Sequence, residues 1–545
     1  MANKKKSLGI MIDFSRNGVM TLPALKDFLK TCKKMGYNTF FPYMEDTYEV
    51  DGEPYFGYMR SRYSIAEMKE IDEFCTSIGM EAIPCIQTLA HLKTYLKWNQ
   101  VETDCDDIMM VGEERTYELI TNMFKTLSQC FKSKRIHIGM DEAHLLGKGK
   151  YLHNNGYRPS SDIINEHLAR ICEIADPFGY DIMLWSDMFF RSWNNGDYYT
   201  LKEVTAIPDE VIKSVPENVI PVYWDYYKQD AKQYDVMIKS HKQFKSDVWF
   251  AGGVWSWQGF APLNDFSNRS MKPAIEACNE NKVKNIFMTM WGDDGMECSH
   301  FSQFPALLYV AECAKGNFDE EKIKAKFQRM FGISYDDFMK TDLPNRIGKK
   351  KLMRWESPSK YMLYSDPLLG FLDYTVALGD GAAFASHAKE LRAVAKKTRK
   401  YGYVFSTLAA LCDVMEIKYE LGLKTRNAYK SGDKAELARL AKEDYVETAK
   451  RVKAFHRAFE KQWYIDNKPS GMEVHDGRLG ALVQRLDSCK RRILAYVNGE
   501  LEALEELEGE LLPFGPFDNK EQGEPIIYNC YGRICTSNQF THFMQ

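Results

Sequence analysis

The stretch RIHIGMDEAH, residues 135–144, sets a histidine, an aspartate and a glutamate at the end of an apolar run. Adjacent acidic residues are ordinary where helices begin or run, and Asp72-Glu73, Asp209-Glu210 and Asp319-Glu320 fit that description. Asp141-Glu142 differs, because it ends a β-type run. Alternation along that run puts Ile136, Ile138 and Met140 on one face and His137, Gly139 and Asp141 on the other. Carboxylates held at a strand end can give or take a proton or stabilise a developing positive charge.

Polar residues close other apolar runs in the same way. Asp13, Glu45 with Asp46, Gln87 with His91, Trp185 with Asp187, Tyr223 with Asp225, and Trp291 ahead of Asp293 and Asp294 all stand at predicted strand ends. Trp185, Trp224, Trp255, Trp257 and Trp291 fall at or near the same places. Rings beside carboxylates suit a sugar, whose C–H face packs on an indole while its hydroxyls bind charged oxygens.

The elements that must position these residues are eight β-rich runs: 8–13, 38–44, 80–87, 135–141, 181–187, 219–225, 248–255 and 285–291. Helical patterns separate them, and three close on Gly36, Gly79 and Gly179, as helix C-termini do. Eight strand–helix units in succession predict a parallel (β/α)8 barrel, an α/β fold whose chemistry sits at the C-terminal ends of its strands. No Gly-rich dinucleotide fingerprint follows the first strand. Beyond about residue 305, charged amphipathic runs such as 381–400, 434–463 and 478–512 replace the strand signals. The expected division is a barrel over 1–320 and an α-helical domain over 321–545. The Pro/Gly-rich 511–525 ends the last helix, and the tail at 526–540 adds a short strand or packs on the barrel.

A net charge of −4 and the lack of any long basic block argue against nucleic acid and against an anionic membrane. No run reads as a membrane span or a signal peptide. Thirteen cysteines without CxxC spacing fit reduced thiols in a cytoplasm. The charged faces of the C-terminal helices are solvated, or they cover the barrel or pair two copies as a homodimer.

HIGMDEAH resembles the H-x-G-x-D-E signature of glycoside hydrolase family 20, the β-N-acetylhexosaminidases. LGIMIDFSR, PYMEDTYE, IQTLAH and MTMWGDDGMECS are similar to that family's first, second, third and eighth strand ends, and the whole looks like the branch with a barrel followed by a helical domain. The resemblance implies retaining hydrolysis of terminal β-linked GlcNAc or GalNAc from an oligosaccharide or glycoconjugate, with no metal and no cofactor. The substrate's own 2-acetamido oxygen attacks C1 and gives an oxazolinium ion that water opens. Glu142 would then be general acid and base, and Asp141 would orient the acetamido N–H. His137 would support the pair by hydrogen bonding, and His91 would join the site.

The same resemblance makes Trp185, Trp224, Trp255 and Trp291 walls of the sugar pocket, and it expects a tyrosine on the acetamido oxygen. Tyr223 is favoured for that role over Tyr226 and Tyr227. Asp294 and Glu297 match positions that hold sugar hydroxyls. One departure stands out. The family pattern opens its first strand with Arg-Gly, and the resemblance gives that arginine to sugar hydroxyls, but the matching residue here is Leu8. Hydroxyl binding then falls to Asp13, Arg16, Glu45 or Asp46, which leaves the choice between gluco and galacto sugars open.

Three other readings compete. A retaining glycosidase with two separated carboxylates would pair Glu142 with Asp187 or Asp225. A catalytically idle glycan-binding barrel fits the loss at Leu8. A metal centre at His137, Asp141 and His144 is disfavoured, because no H-x-H opens the first strand.

Overall fold

The computed structural model describes residues 6–199, 201–347, 356–513 and 530–539. Trp355, the N-terminal lysines at 4 and 5, and most of the Pro/Gly-rich 511–525 lie outside these.

All eight expected strands form. They are β1 (Ser7–Asp13), β2 (Thr39–Tyr43), β3 (Glu81–Ala82), β4 (Arg135–His137), β5 (Asp181–Trp185), β6 (Val219–Trp224), β7 (Trp249–Gly253) and β8 (Asn285–Met290). Every pairing is parallel, in the order β3-β2-β1-β8-β7-β6-β5-β4. Cys85 closes the ring, bridging Tyr43 on one side and His137 on the other. There the Ile86 N–H donates to the His137 carbonyl at 2.8 Å, and the His137 N–H to the Pro84 carbonyl at 2.9 Å. The closed sheet is the predicted (β/α)8 barrel, with no free edge strand.

The barrel interior is filled rather than open. Phe41 stacks on Phe287 with centroids 4.5 Å apart, and Trp249 packs edge-on at 6.1 Å from Phe41. A Cβ built on Gly9 would lie 2.9 Å from the Phe287 Cβ, so the odd-numbered face of β1 points inward. Leu8, Ile10 and Ile12 therefore face outward. The position that the resemblance gives to an arginine, Leu8, thus starts on the outward face of β1, about five strand residues below the mouth.

Local signals start and stop the helices around the barrel. Thr21 caps Leu22–Met35, and Gly36 ends it at φ 118°. Ser64 and Glu67 form a reciprocal capping box on Ile65–Ser77, a device that contributes on the order of 1 kcal/mol.

The described residues divide into two compact units. One comprises the residues up to Val254 together with 267–291 and 306–319, and the other runs from Glu320 onward and includes 255–266 and 292–305. The segments that follow β7 and β8 thus belong to the helical unit. That unit is built on Gly402–Lys430, a helix buried on nearly every side and packed with Gly381–Lys397 and Asp444–Asp466, while Met472–Val497 packs on Asp444–Asp466. The last of these stops well short of the 512 that its charge pattern predicted. Asn498 caps it and Gly499, at φ 81°, turns the chain. The tail contributes a short helix, Tyr531–Ile534, where a strand was one expectation.

Candidate active site

β4 ends at His137, the residue that closes the barrel, and the reason is backbone geometry. Gly139, Met140 and Glu142 take φ values of 73°, 67° and 50°. Left-handed conformations at non-glycine residues cost about 1–3 kcal/mol each and persist only where the surroundings impose them. Gln87 is part of that imposition. Its amide oxygen accepts the Met140 N–H at 3.2 Å, and a Cβ on Gly139 would fall 2.0 Å from the same oxygen. The glycine of the H-x-G-x-D-E string is thus required twice, by φ and by space.

The twist sends the two neighbouring carboxylates to different places. Asp141 turns inward, its side chain 14% exposed, and accepts a hydrogen bond from the Gln87 amide at 2.8 Å. Glu142 stays at the rim with a side chain 42% exposed. The remaining Gln87 N–H donates to the Tyr43 hydroxyl at 2.9 Å, and that hydroxyl donates to Glu45 at 3.1 Å. Both Gln87 N–H groups are thus committed, one of them to Asp141, while its oxygen holds the Met140 N–H.

His91, itself at φ 59°, brings Nε2 to 3.3 Å from Asp141 Oδ2 and 3.9 Å from Glu142 Oε2. Burial alone would depress the imidazolium, but the negative charge of Asp141 beside it lifts its pKa to about 9. Burial likewise works against the Asp141 carboxylate, yet His91 and Gln87 outweigh it and hold the group below the usual range. Among the described residues, His91, Asp141 and Glu142 have ligand atoms within 4.8 Å of one another. With the His91 pKa near 9, a cation would have to displace the imidazolium proton before this trio could hold it.

His137 lies beneath this layer. It is fully buried, and its ring sits 4.4 Å from that of Trp185. The Gly139 N–H donates to Nδ1 at 3.2 Å, which places the ring proton on Nε2, and burial lowers the pKa to about 3. His137 is a neutral member of the floor and makes no direct bond to either carboxylate.

Arg16 leans over Tyr43 and Trp291, 5.5 and 5.8 Å from their ring centroids, and pairs with Glu45 at 2.9 Å. Asp13 supports it at 3.5 Å and also accepts the Ser15 N–H and hydroxyl. Asp46 is buried in an ion pair with Arg60. Of the four hydroxyl-binding candidates, Arg16 and Glu45 stand beside the aromatic wall, while Asp13 and Asp46 hold arginines.

The aromatic wall is Trp185, Trp224 and Trp291 with three tyrosines. Trp291 donates to the Tyr226 hydroxyl at 3.2 Å, Tyr226 stacks on Trp224 at 5.6 Å, and Tyr199 and Tyr227 pack edge-on at 5.6 Å. Tyr223, favoured from its Y-x-D setting, turns the other way. Its ring lies 4.9 Å from His241 on the helix Ala231–His241, and its hydroxyl donates to Asp225 at 3.2 Å. Strand alternation explains the difference, since Trp224 and Tyr223 must point to opposite faces. Asp225 is fully buried and holds its own turn, accepting the Tyr227 N–H and pairing with Lys228 at 3.2 Å.

Three expected site residues fall in the helical unit. Trp255 is fully buried, stacked on Trp257 at 4.4 Å and edge-on to Phe266 at 5.0 Å. Asp294 and Glu297 each lie 2.8 Å from Lys360 Nζ, and Arg478 reaches both, at 2.9 and 3.4 Å. These carboxylates are engaged by cations from distant sequence, which no local motif could disclose. Tyr43 and Tyr199 are the reverse case: the sequence reading names neither, and for Tyr43, at the end of β2, only register identifies its partner Gln87.

Comparison with known proteins identifies the family. The model of the glycosyl hydrolase family 20 catalytic domain matches residues 58–312, and that of the glycoside hydrolase 20C C-terminal domain matches residues 336–526. Hexosaminidase D of Bos taurus is 22% identical over 346 residues, covering 57% of this chain and 92% of that protein. Hexosaminidase D of Homo sapiens is 23% identical over 359 residues, covering 59% and 68%. A solved β-N-acetylhexosaminidase from Bacteroides fragilis aligns with a TM-score of 0.45 at 19% identity, covering 60% of this chain and 70% of that one. With a catalytic-domain match across the strand ends that carry Asp141 and Glu142 and a second match across the helical unit, the chain belongs to glycoside hydrolase family 20 and is a glycoside hydrolase.

Proposed function

We propose that the protein is an exo-acting, retaining β-N-acetylhexosaminidase that removes terminal β-linked GlcNAc or GalNAc by substrate-assisted catalysis. The observation that carries the reading is the divergence of two adjacent carboxylates. Asp141 is ionised, inward and fixed by Gln87 and His91, whereas Glu142 is half-exposed at the rim. A matched pair flanking C1 would have to stand on opposite sides of the sugar, and neighbours on one turn cannot.

In this scheme Glu142 protonates the leaving glycosidic oxygen while the acetamido oxygen attacks C1. Asp141 accepts the acetamido N–H and stabilises the positive charge that spreads onto that nitrogen. Glu142, now a carboxylate, takes a proton from the water that opens the oxazolinium at C1, giving net retention. The imidazolium of His91 keeps Asp141 ionised throughout. Tyr226 is the best placed tyrosine for the acetamido oxygen, and Arg16 with Glu45 for ring hydroxyls. Thirteen cysteines, none in a disulfide, support work in a reducing compartment such as the cytoplasm. Among the described residues no helix is long and apolar enough to cross a membrane.

The test is hydrolysis of nitrophenyl β-GlcNAc and β-GalNAc with proton NMR of the first-formed anomer. The β-anomer is expected first, and an α-anomer would end the retaining reading. Product binding without turnover would instead support an idle glycan-binding barrel.

A further inference from the structure

We propose that Asp187 is a positioning residue that fixes the direction of Glu142. The proposal rests on the reading of Glu142 as acid and base. Asp187 follows β5 by two residues and is fully buried, so it is not presented to a sugar. Its Oδ2 accepts the backbone N–H of Glu142 at 3.2 Å, at the residue whose left-handed φ of 50° separates the rim carboxylate from Asp141. Its Oδ1 faces the Trp224 indole N–H at 3.5 Å, and Arg191 Nε lies 3.5 Å from Oδ2. One carboxyl thus ties the acid-bearing turn to the aromatic wall.

The energetic logic favours this role over a second catalytic carboxylate. A strained turn holds only if its surroundings over-determine it. Gln87 fixes the turn from the Met140 side, and Asp187 is the side chain that takes the N–H of Glu142 itself. Without an acceptor that N–H loses its protein partner, and the turn loses the contact that opposes relaxation of φ toward ordinary values. Glu142 would then swing from its bearing on the leaving oxygen. Asp141, bound by Gln87 and His91, would stay.

Because Asp187 acts through Glu142, its removal should mimic loss of acid help. In Asp187→Leu, kcat should fall about a hundredfold for glycosides with poor leaving groups and less than tenfold for a dinitrophenyl leaving group. Asp187→Asn keeps an acceptor oxygen and should recover to within about fivefold of the parent. The double variant Glu142→Gln, Asp187→Leu should be no slower than Glu142→Gln alone, within about twofold, since one pathway cannot be lost twice. Thermal unfolding of each variant shows whether it is folded, and Asp187→Asn carries the test if Asp187→Leu is not. A uniform loss across leaving groups, or losses that multiply in the double variant, overturns the proposal while leaving the acid assignment standing. If Glu142→Gln itself shows no dependence on the leaving group, the acid assignment falls and the proposal falls with it.

Discussion

His91 Nε2 stands 3.3 Å from Asp141 Oδ2, an ion pair buried beneath a carboxylate that remains at the rim. The pair has a pH signature. The His91 pKa is raised from 6.5 to about 9 in the folded protein, so its contribution to stability is full below pH 6.5 and is lost as pH rises through 9. His91→Gln should therefore lower the unfolding temperature more at pH 6 than at pH 9.5. An equal loss at both values would show that the imidazole is not charged in the fold.

Asp187 gives the opposite sign. Burial first, and then the charges of Asp141 and Glu142, raise its pKa from 3.8 to about 7. The folded state prefers the proton, so this residue costs stability increasingly from pH 3.8 to 7 and fully above. Relative to the parent, Asp187→Asn should be near neutral in unfolding temperature at pH 3.5 and more stable at pH 8. A variant destabilised more at pH 8 than at pH 3.5 would contradict this environment.

Arg16 is expected to bind ring hydroxyls from its place over Tyr43 and Trp291. Charge-assisted hydrogen bonds contribute about 1.5–3 kcal/mol, so Arg16→Ala should lower kcat/KM about ten- to hundredfold and weaken inhibition by free GlcNAc in parallel. Leu8→Arg should gain nothing. It buries a charge on the outward face of β1 and should cost about 3 kcal/mol or more, read as a fall in unfolding temperature.

The barrel was legible in the sequence because each strand run was short, apolar and closed by a polar residue, and because Gly36, Gly79 and Gly179 punctuated the helices. The Asp141-Glu142 pair was legible for the same reason. Other parts were not. Tyr223 and Tyr226 differ by three positions, and one faces a helix while the other faces Trp291, a matter of where β6 ends. Asp294 and Glu297 look like hydroxyl ligands locally, yet Lys360 and Arg478, more than sixty residues on, claim both.

That claim makes its own prediction. Lys360 is fully buried, and replacing it by Met leaves two carboxylates facing Arg478 alone. Breaking a buried pair by removing one partner costs about 3–5 kcal/mol, so Lys360→Met should unfold markedly earlier in calorimetry. Glu297→Gln should likewise change stability and leave KM within about twofold. A large rise in KM with unchanged stability would return Glu297 to the sugar.

The central claim is that the substrate supplies the nucleophile while Asp141 positions it and Glu142 handles the proton. The most direct measurement is the rate of the parent enzyme on nitrophenyl β-GlcNAc against nitrophenyl β-glucoside, repeated with a thiazoline analogue of the oxazolinium ion. The account predicts hydrolysis of the acetamido sugar, none detectable of the glucoside, and tight competitive inhibition by the thiazoline. Comparable hydrolysis of both glycosides with no thiazoline inhibition would contradict it and place the nucleophile on the protein.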